Sequence, residues 1–217
     1  MLQRVDLRGR VQGTTTAELR ATLPRPEVAG EGPVAAVRSI IDDVRARGDV
    51  ALRELTERFD GCDLPTSRVE PGELKAALER IPAELREALE FAADGIRVFH
   101  ETQVQPPHRV ERDGLVVEGR QQPVDRAGLY VPGGRAVYPS TVLMTAIPAR
   151  AAGVPEIVLC VPPASDGRVP DATLAAAAIA GVDEVYAVGG AQAVAAMAYG
   201  TDTIRPVDVI ALSLIHI

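Results

Sequence analysis

Apolar residues in the first hundred positions recur at helical spacing. Val34, Val37, Ile40, Ile41 and Val44 form one apolar stripe that stops at Gly48, and Asp49 is placed to cap a second helix through Leu52, Leu55 and Phe59, which Gly61 ends. The period returns over residues 73–81, closed by Pro82. From residue 83 to about 103 it continues as a long amphipathic helix with Leu85, Leu89, Ala92, Ile96 and Phe99 on one side. Residues 1–104 therefore read as a helical layer whose mixed charges, such as Arg45, Arg47, Glu54, Glu57 and Arg58, are solvated faces.

The pattern changes at Gln105-Pro106-Pro107. Short extended runs follow over 115–118, 121–125 and 129–131, each bounded by glycine or charged turns. Regular alternation then sets in. Helices over 140–152, 171–180 and 191–199 lead to strands over 156–161, 184–188 and 207–210. Strands joined by helices of this length imply a parallel sheet covered on both faces, with the apolar run IVLCV as a central strand. The fold class is α/β, an N-terminal helical layer (1–104) followed by a Rossmann-like parallel sheet with βα repeats (105–210). Pro148 interrupts the first of these helices and is expected to kink it or end it early.

Composition narrows the function classes. With 217 residues, 47% hydrophobic, the chain can bury a sizeable core, yet aromatics are 3% and tryptophan is absent. A stacking surface for single-stranded nucleic acid is thereby disfavoured, and the net charge of -7 repels a phosphate backbone. No apolar run approaches the ~20 residues of a membrane span, and the first residues lack the apolar segment of a secretory signal, so a cytoplasmic location is expected. Cys62 and Cys160 are expected to be free thiols.

The candidate chemistry lies in two glycine pairs. Gly133-Gly134 follows a strand and precedes Pro139, Ser140 and Thr141, which read as the first turn of a helix; Gly189-Gly190 follows another strand and precedes Ala191-Gln192. Free N–H groups at such helix starts attract anions, and in an open parallel sheet both loops fall at the ligand-binding edge. Taken one at a time, either pair is equally compatible with a simple turn, Ser140 and Thr141 with N-caps, Tyr130 with a core-edge tyrosine, and Gln192 with a cap of its own helix. His100, His108 and His216, with two distant cysteines, form no ligand set of recognisable zinc spacing.

The segments GLYVPGGRAVYPSTVLMTAIPARAAGVPEIVLCVPP, GVDEVYAVGGAQAVAAMAYGTDTIRPVDVI and IIDDVRARGDVALRELTERFDG resemble the histidinol dehydrogenase family. The resemblance runs over about residues 1–210 and implies an incomplete, aldehyde-dehydrogenase-like Rossmann fold. It also implies a cytoplasmic homodimer that uses NAD and zinc to oxidise L-histidinol to L-histidine through the aldehyde. Carried onto this chain, it points to Tyr130, Gln192, Gly133, Gly134, Gly189, Gly190 and Ser140 as cofactor-binding residues. It places the zinc ligands and a Glu-His acid-base pair beyond this sequence, so no catalytic or metal-binding residue is assigned here and the chain by itself is expected to be catalytically silent. Residues 211–217, ALSLIHI, depart from the family pattern and suggest a truncated or misassembled reading frame. Two other readings stay open: a non-catalytic dinucleotide-binding module, and a dehydrogenase of the aldehyde-oxidising kind, for which Cys160 in its apolar strand is a poor nucleophile.

Overall fold

A computed structural model describes residues 6, 8, 13–23, 31–133 and 136–212. Among the described residues five helices come first: α1 (Thr16–Thr22), α2 (Glu31–Arg47), α3 (Asp49–Asp60), α4 (Pro71–Arg80) and α5 (Ala83–Glu101). An antiparallel hairpin, β1 (His108–Arg112) and β2 (Leu115–Gly119), leads to β3 (Arg126–Tyr130). The chain then alternates through α6 (Pro139–Ala151), β4 (Glu156–Val161), α7 (Asp171–Ala180), β5 (Glu184–Ala187), α8 (Gly190–Tyr199) and β6 (Val209–Leu212).

Strands β3 to β6 form a parallel sheet in the order β5-β4-β3-β6. The chain steps outward from β3 to β4 to β5 and then returns to the far side of β3, so its direction reverses between β3 and β6. Side-chain alternation along the strands feeds two cores. Ala127, Leu129, Ile157, Leu159 and Val185 join residues of α4 to α7 on one face. On the other, Val158, Cys160, Tyr186 and Val188 join Val44, Leu52, Leu55, Ala193, Ala196 and Met197 from α2, α3 and α8. The N-terminal helices thus divide between the two faces. Helix α8 sits close enough that a Cβ on Gly128 would lie 2.7 Å from Met197 Sδ.

Several local expectations change in three dimensions. Asp49 is the first residue of α3, after Gly48, and its carboxylate accepts from Thr203 N–H and Oγ instead of capping its own helix. Phe59, Ala92 and Phe99 face solvent; on α5 Leu89 and Ala93 are buried and Leu85 and Ile96 pack against the same core, so the expected stripe holds except that Ala93 takes the place of Ala92 and Phe99 stays outside. Residues 121–125 form no strand, and His108 opens β1. Pro148 neither ends nor shortens α6, which runs on to Ala151; placed in the last turn, the proline lacks only its own N–H bond to the preceding turn, and Ala152 N–H still donates to the Pro148 carbonyl. The last strand lies two residues later than predicted and takes in Ala211 and Leu212, which pair with Leu129 and Tyr130.

The amino edge of the sheet is clamped by charge. Buried Arg126, the first residue of β3, donates to Glu156 and Glu184, the first residues of β4 and β5, at 2.7 Å each. Arg205 donates to Glu156 at 2.6 Å and the Tyr186 hydroxyl to Glu184 at 2.9 Å. Bonds from Arg126 hold the Glu156 carboxyl below its usual range; burial pushes Glu184 up, yet Arg126 and Tyr186 keep it low as well.

Candidate functional site

The opposite, carboxyl edge carries the glycine turns. In a doubly wound sheet, ligands bind outside the carboxyl ends of the strands where the chain reverses direction. Tyr130, the last residue of β3, stands at that reversal, in register with Cys160 of β4 and Leu212 of β6. Gly133 and Gly189 flank the end of β4. A Cβ on Gly133 would lie 3.1 Å from Pro162 Cβ, and one on Gly189 would lie 2.4 Å from Pro162 Cγ. Pro162 is therefore a shared wall between the two turns. Its signal in the sequence is its place directly after the central strand, in VPP.

The two turns lead into helices of the same kind. Neither α6 nor α8 has a side-chain cap or an acidic residue in its first turn. Helix α7, between them in sequence, carries Asp171 in its first turn, already paired with Arg80 at 2.8 Å. The starts of α6 and α8 thus carry no negative side chain of their own, whereas that of α7 carries Asp171.

The expected site residues separate into groups. Gly190 has φ +64, a conformation that favours glycine, and its N–H donates to the Tyr130 hydroxyl at 3.1 Å. A Cβ on Gly190 would stand 2.5 Å from Gln192 Oε1. Gln192 itself is 1% exposed, and neither Oε1 nor Nε2 has a hydrogen-bond partner. Tyr130, Gly190 and Gln192 therefore form one constellation, with Gly189 beneath it against Pro162. Ser140 is exposed in the first turn of α6 and does not cap it, since Tyr138 holds the N-cap position without a side-chain bond. Gly133 lies across Pro162 from the constellation, and Gly134 falls outside the described residues.

Two hollows of about 290 and 330 Å³ lie beside β5. Both are lined by Thr66, Ser67 and Ala187, because residues 67–69 run antiparallel to β5 and close that edge of the sheet. In the first of them Asp49 is engaged with Thr203 and Arg53 with Asp63.

The histidines and cysteines stay apart. His100 Nδ1 is 2.7 Å from Gln103 Oε1, His108 lies on the exposed hairpin, and His216 falls outside the described residues. Among the described residues no three His, Cys, Asp or Glu side chains converge on a metal position. Cys62 and Cys160 are free and buried, and burial pushes the Cys160 thiol up to about 12.

Fold and edge together define a doubly wound α/β domain with glycine turns at its ligand side. Residues 23–211 match the family model of histidinol dehydrogenase. The histidinol dehydrogenase of Dehalococcoides mccartyi strain ATCC BAA-2266 is 53% identical over 181 residues, which cover 82% of this chain and 41% of that protein. That of Leifsonia xyli subsp. xyli is 48% identical over 96% of this chain and 49% of its own length. The crystal structure of histidinol dehydrogenase from Elizabethkingia anophelis superposes with a TM-score of 0.84 at 35% identity, covering 91% of this chain and 46% of that one. The chain belongs to the histidinol dehydrogenase family and spans less than half the length of these relatives.

Proposed function

We propose that this chain supplies the dinucleotide-binding part of a histidinol dehydrogenase, an enzyme that oxidises L-histidinol to L-histidine through the aldehyde at the end of histidine biosynthesis. The supporting observation is Gln192, whose buried amide has no partner at the uncapped start of α8, beside the turn that Tyr130 holds. Burying a primary amide without hydrogen bonds is costly, so a site that does so is built for a group that supplies them.

NAD fits these residues. When bound it supplies the hydride acceptor. The start of α8 and the Gly190 N–H suit a phosphate oxygen, and the uncapped start of α6 with Ser140 and Gly133 offers a second anionic position. The Tyr130 hydroxyl accepts from Gly190, which leaves its own proton to donate to the ligand, while Gln192 brings both a donor and an acceptor to a ribose or an amide. The zinc implied by the resemblance does not fit the described residues, which bring no donor set together.

In this reading the chain by itself binds NAD+ and leaves histidinol unoxidised; the dimer and the cytoplasmic setting belong to the full-length enzyme. Calorimetry should give saturable NAD+ binding, with no rise in NADH absorbance on adding histidinol. Absence of binding overturns the dinucleotide reading, and steady turnover overturns the silent one. A stand-alone binding module would give the same calorimetry. It differs in that co-expression with the C-terminal half of a relative would restore no turnover.

A further inference from the structure

Gln192 carries the strongest demand for a ligand at this edge, yet its amide is sealed from solvent. What lies over it is Gly190, so near that a Cβ there would come within 2.5 Å of Oε1. Gly190 belongs to a turn that α8 does not cap with any side chain of its own. Its N–H is given to Tyr130, and Tyr130 sits on β3 with strands paired on both sides. The hydroxyl is thus a fixed point on the sheet, to which the first N–H of α8 is tied.

We propose that Tyr130 is a positioning residue for Gln192: its hydroxyl latches the Gly189-Gly190 turn over the Gln192 amide, and a ligand reaches that amide by taking over the Gly190 N–H. The exchange is favourable for an anionic acceptor, because an N–H bonds a charged phosphate oxygen more strongly than a neutral phenol. Once released, the phenol is free to bond the ligand in turn. The ligand chemistry that satisfies every group is a phosphorylated ribose, with an anionic oxygen for Gly190 and hydroxyls that both donate and accept for Gln192. The choice of ligand rests on the dinucleotide reading, whereas the latch is a property of the free chain.

Tyr130→Phe keeps the ring and removes the acceptor. In the ligand-free protein, solvent-exchange NMR should show the Gly190 backbone N–H and the Gln192 side-chain NH₂ exchanging roughly three- to tenfold faster, as expected for loss of one hydrogen bond. The core amide of Leu159 should be unchanged, and Tyr199→Phe should alter none of the three. Unchanged exchange at Gly190 and Gln192 overturns the latch, and so does an increase shared by Leu159, which would mean general destabilisation. In the wild type, NAD+ and ADP-ribose should each shift the Gly190 and Gln192 resonances, while unphosphorylated nicotinamide riboside should leave them in place. A shift by the riboside equal to that by NAD+ overturns the phosphate-driven exchange. A wild type that binds no NAD+ while Tyr130→Phe still frees Gln192 sinks the dinucleotide reading and leaves the latch standing.

Discussion

Pro162 occupies the space that a side chain on Gly189 would need, since a Cβ there would stand 2.4 Å from Pro162 Cγ. Backbone freedom is not the issue, because Gly189 has an extended φ of -116. Gly189→Ala should therefore lower stability by about 1–3 kcal/mol through overpacking and abolish NAD+ binding. Gly72, in α4, has nothing within 4 Å of its Cβ position, and Gly72→Ala should gain roughly 0.5 kcal/mol. Urea unfolding of both variants checks the contrast.

Arg126 ties together the amino ends of three strands, and its own side chain is 6% exposed while that of Glu184 is 15% exposed. Arg126→Ala leaves Glu184 charged and largely buried without its main partner. A loss of about 2–3 kcal/mol is expected, with NAD+ affinity at the opposite edge retained in the folded fraction. Denaturant titration with and without NAD+ separates the two effects.

The same clamp sets an acid limit. Glu156 and Glu184 are held below the ordinary 4.5 in the folded chain, so as pH falls the unfolded chain takes up protons first. Their contribution is complete above 4.5, declines below it, and is gone once pH passes the lowered folded values. Melting temperature plotted against pH should be flat near neutrality and fall below about pH 4.5. The slope should be shallower in Arg126→Met.

Cys160 is fully buried in β4 and its thiol is pushed up to about 12. A bulky thiol reagent should label neither cysteine in the native chain and both in denaturant. An aldehyde should likewise form no adduct with Cys160 in the native chain, contrary to what an aldehyde-oxidising enzyme with Cys160 as nucleophile would show.

Strand β6 pairs with β3 alone among the described residues, and Val209 and Leu212 are 49% and 42% exposed. An apolar edge of this kind is a template for pairing between chains. Sedimentation should show concentration-dependent self-association of the chain, reduced in Val209→Lys. A monomer at all concentrations would contradict it.

Much of the α/β region was legible in the sequence. Residues 156–161 and 171–180 fall where the pattern placed them, because continuous apolar runs bounded by glycine and proline leave little freedom for a strand or helix. On α5 the sequence placed Leu85, Leu89 and Ile96 on the core side but could not choose between Ala92 and Ala93, both apolar and adjacent; packing against α6 and α7 buries Ala93. Asp49 was read as a cap because its partner, Thr203, is far away in sequence. The segment 67–69 was missed for the same reason, its strand character coming wholly from pairing with β5.

By itself the sequence determined that a helical region precedes a parallel βα repeat, and that glycine pairs fall between strand and helix at two places. Those are local properties, fixed by periodicity and by residues that cannot continue a helix or strand. Only the tertiary structure decided that Pro162 stands between the two turns, that the Tyr130 hydroxyl meets the Gly190 N–H, and that the Gln192 amide is buried without a partner. Those depend on strand order and on the height at which each strand ends, which are set by packing between residues sixty positions apart.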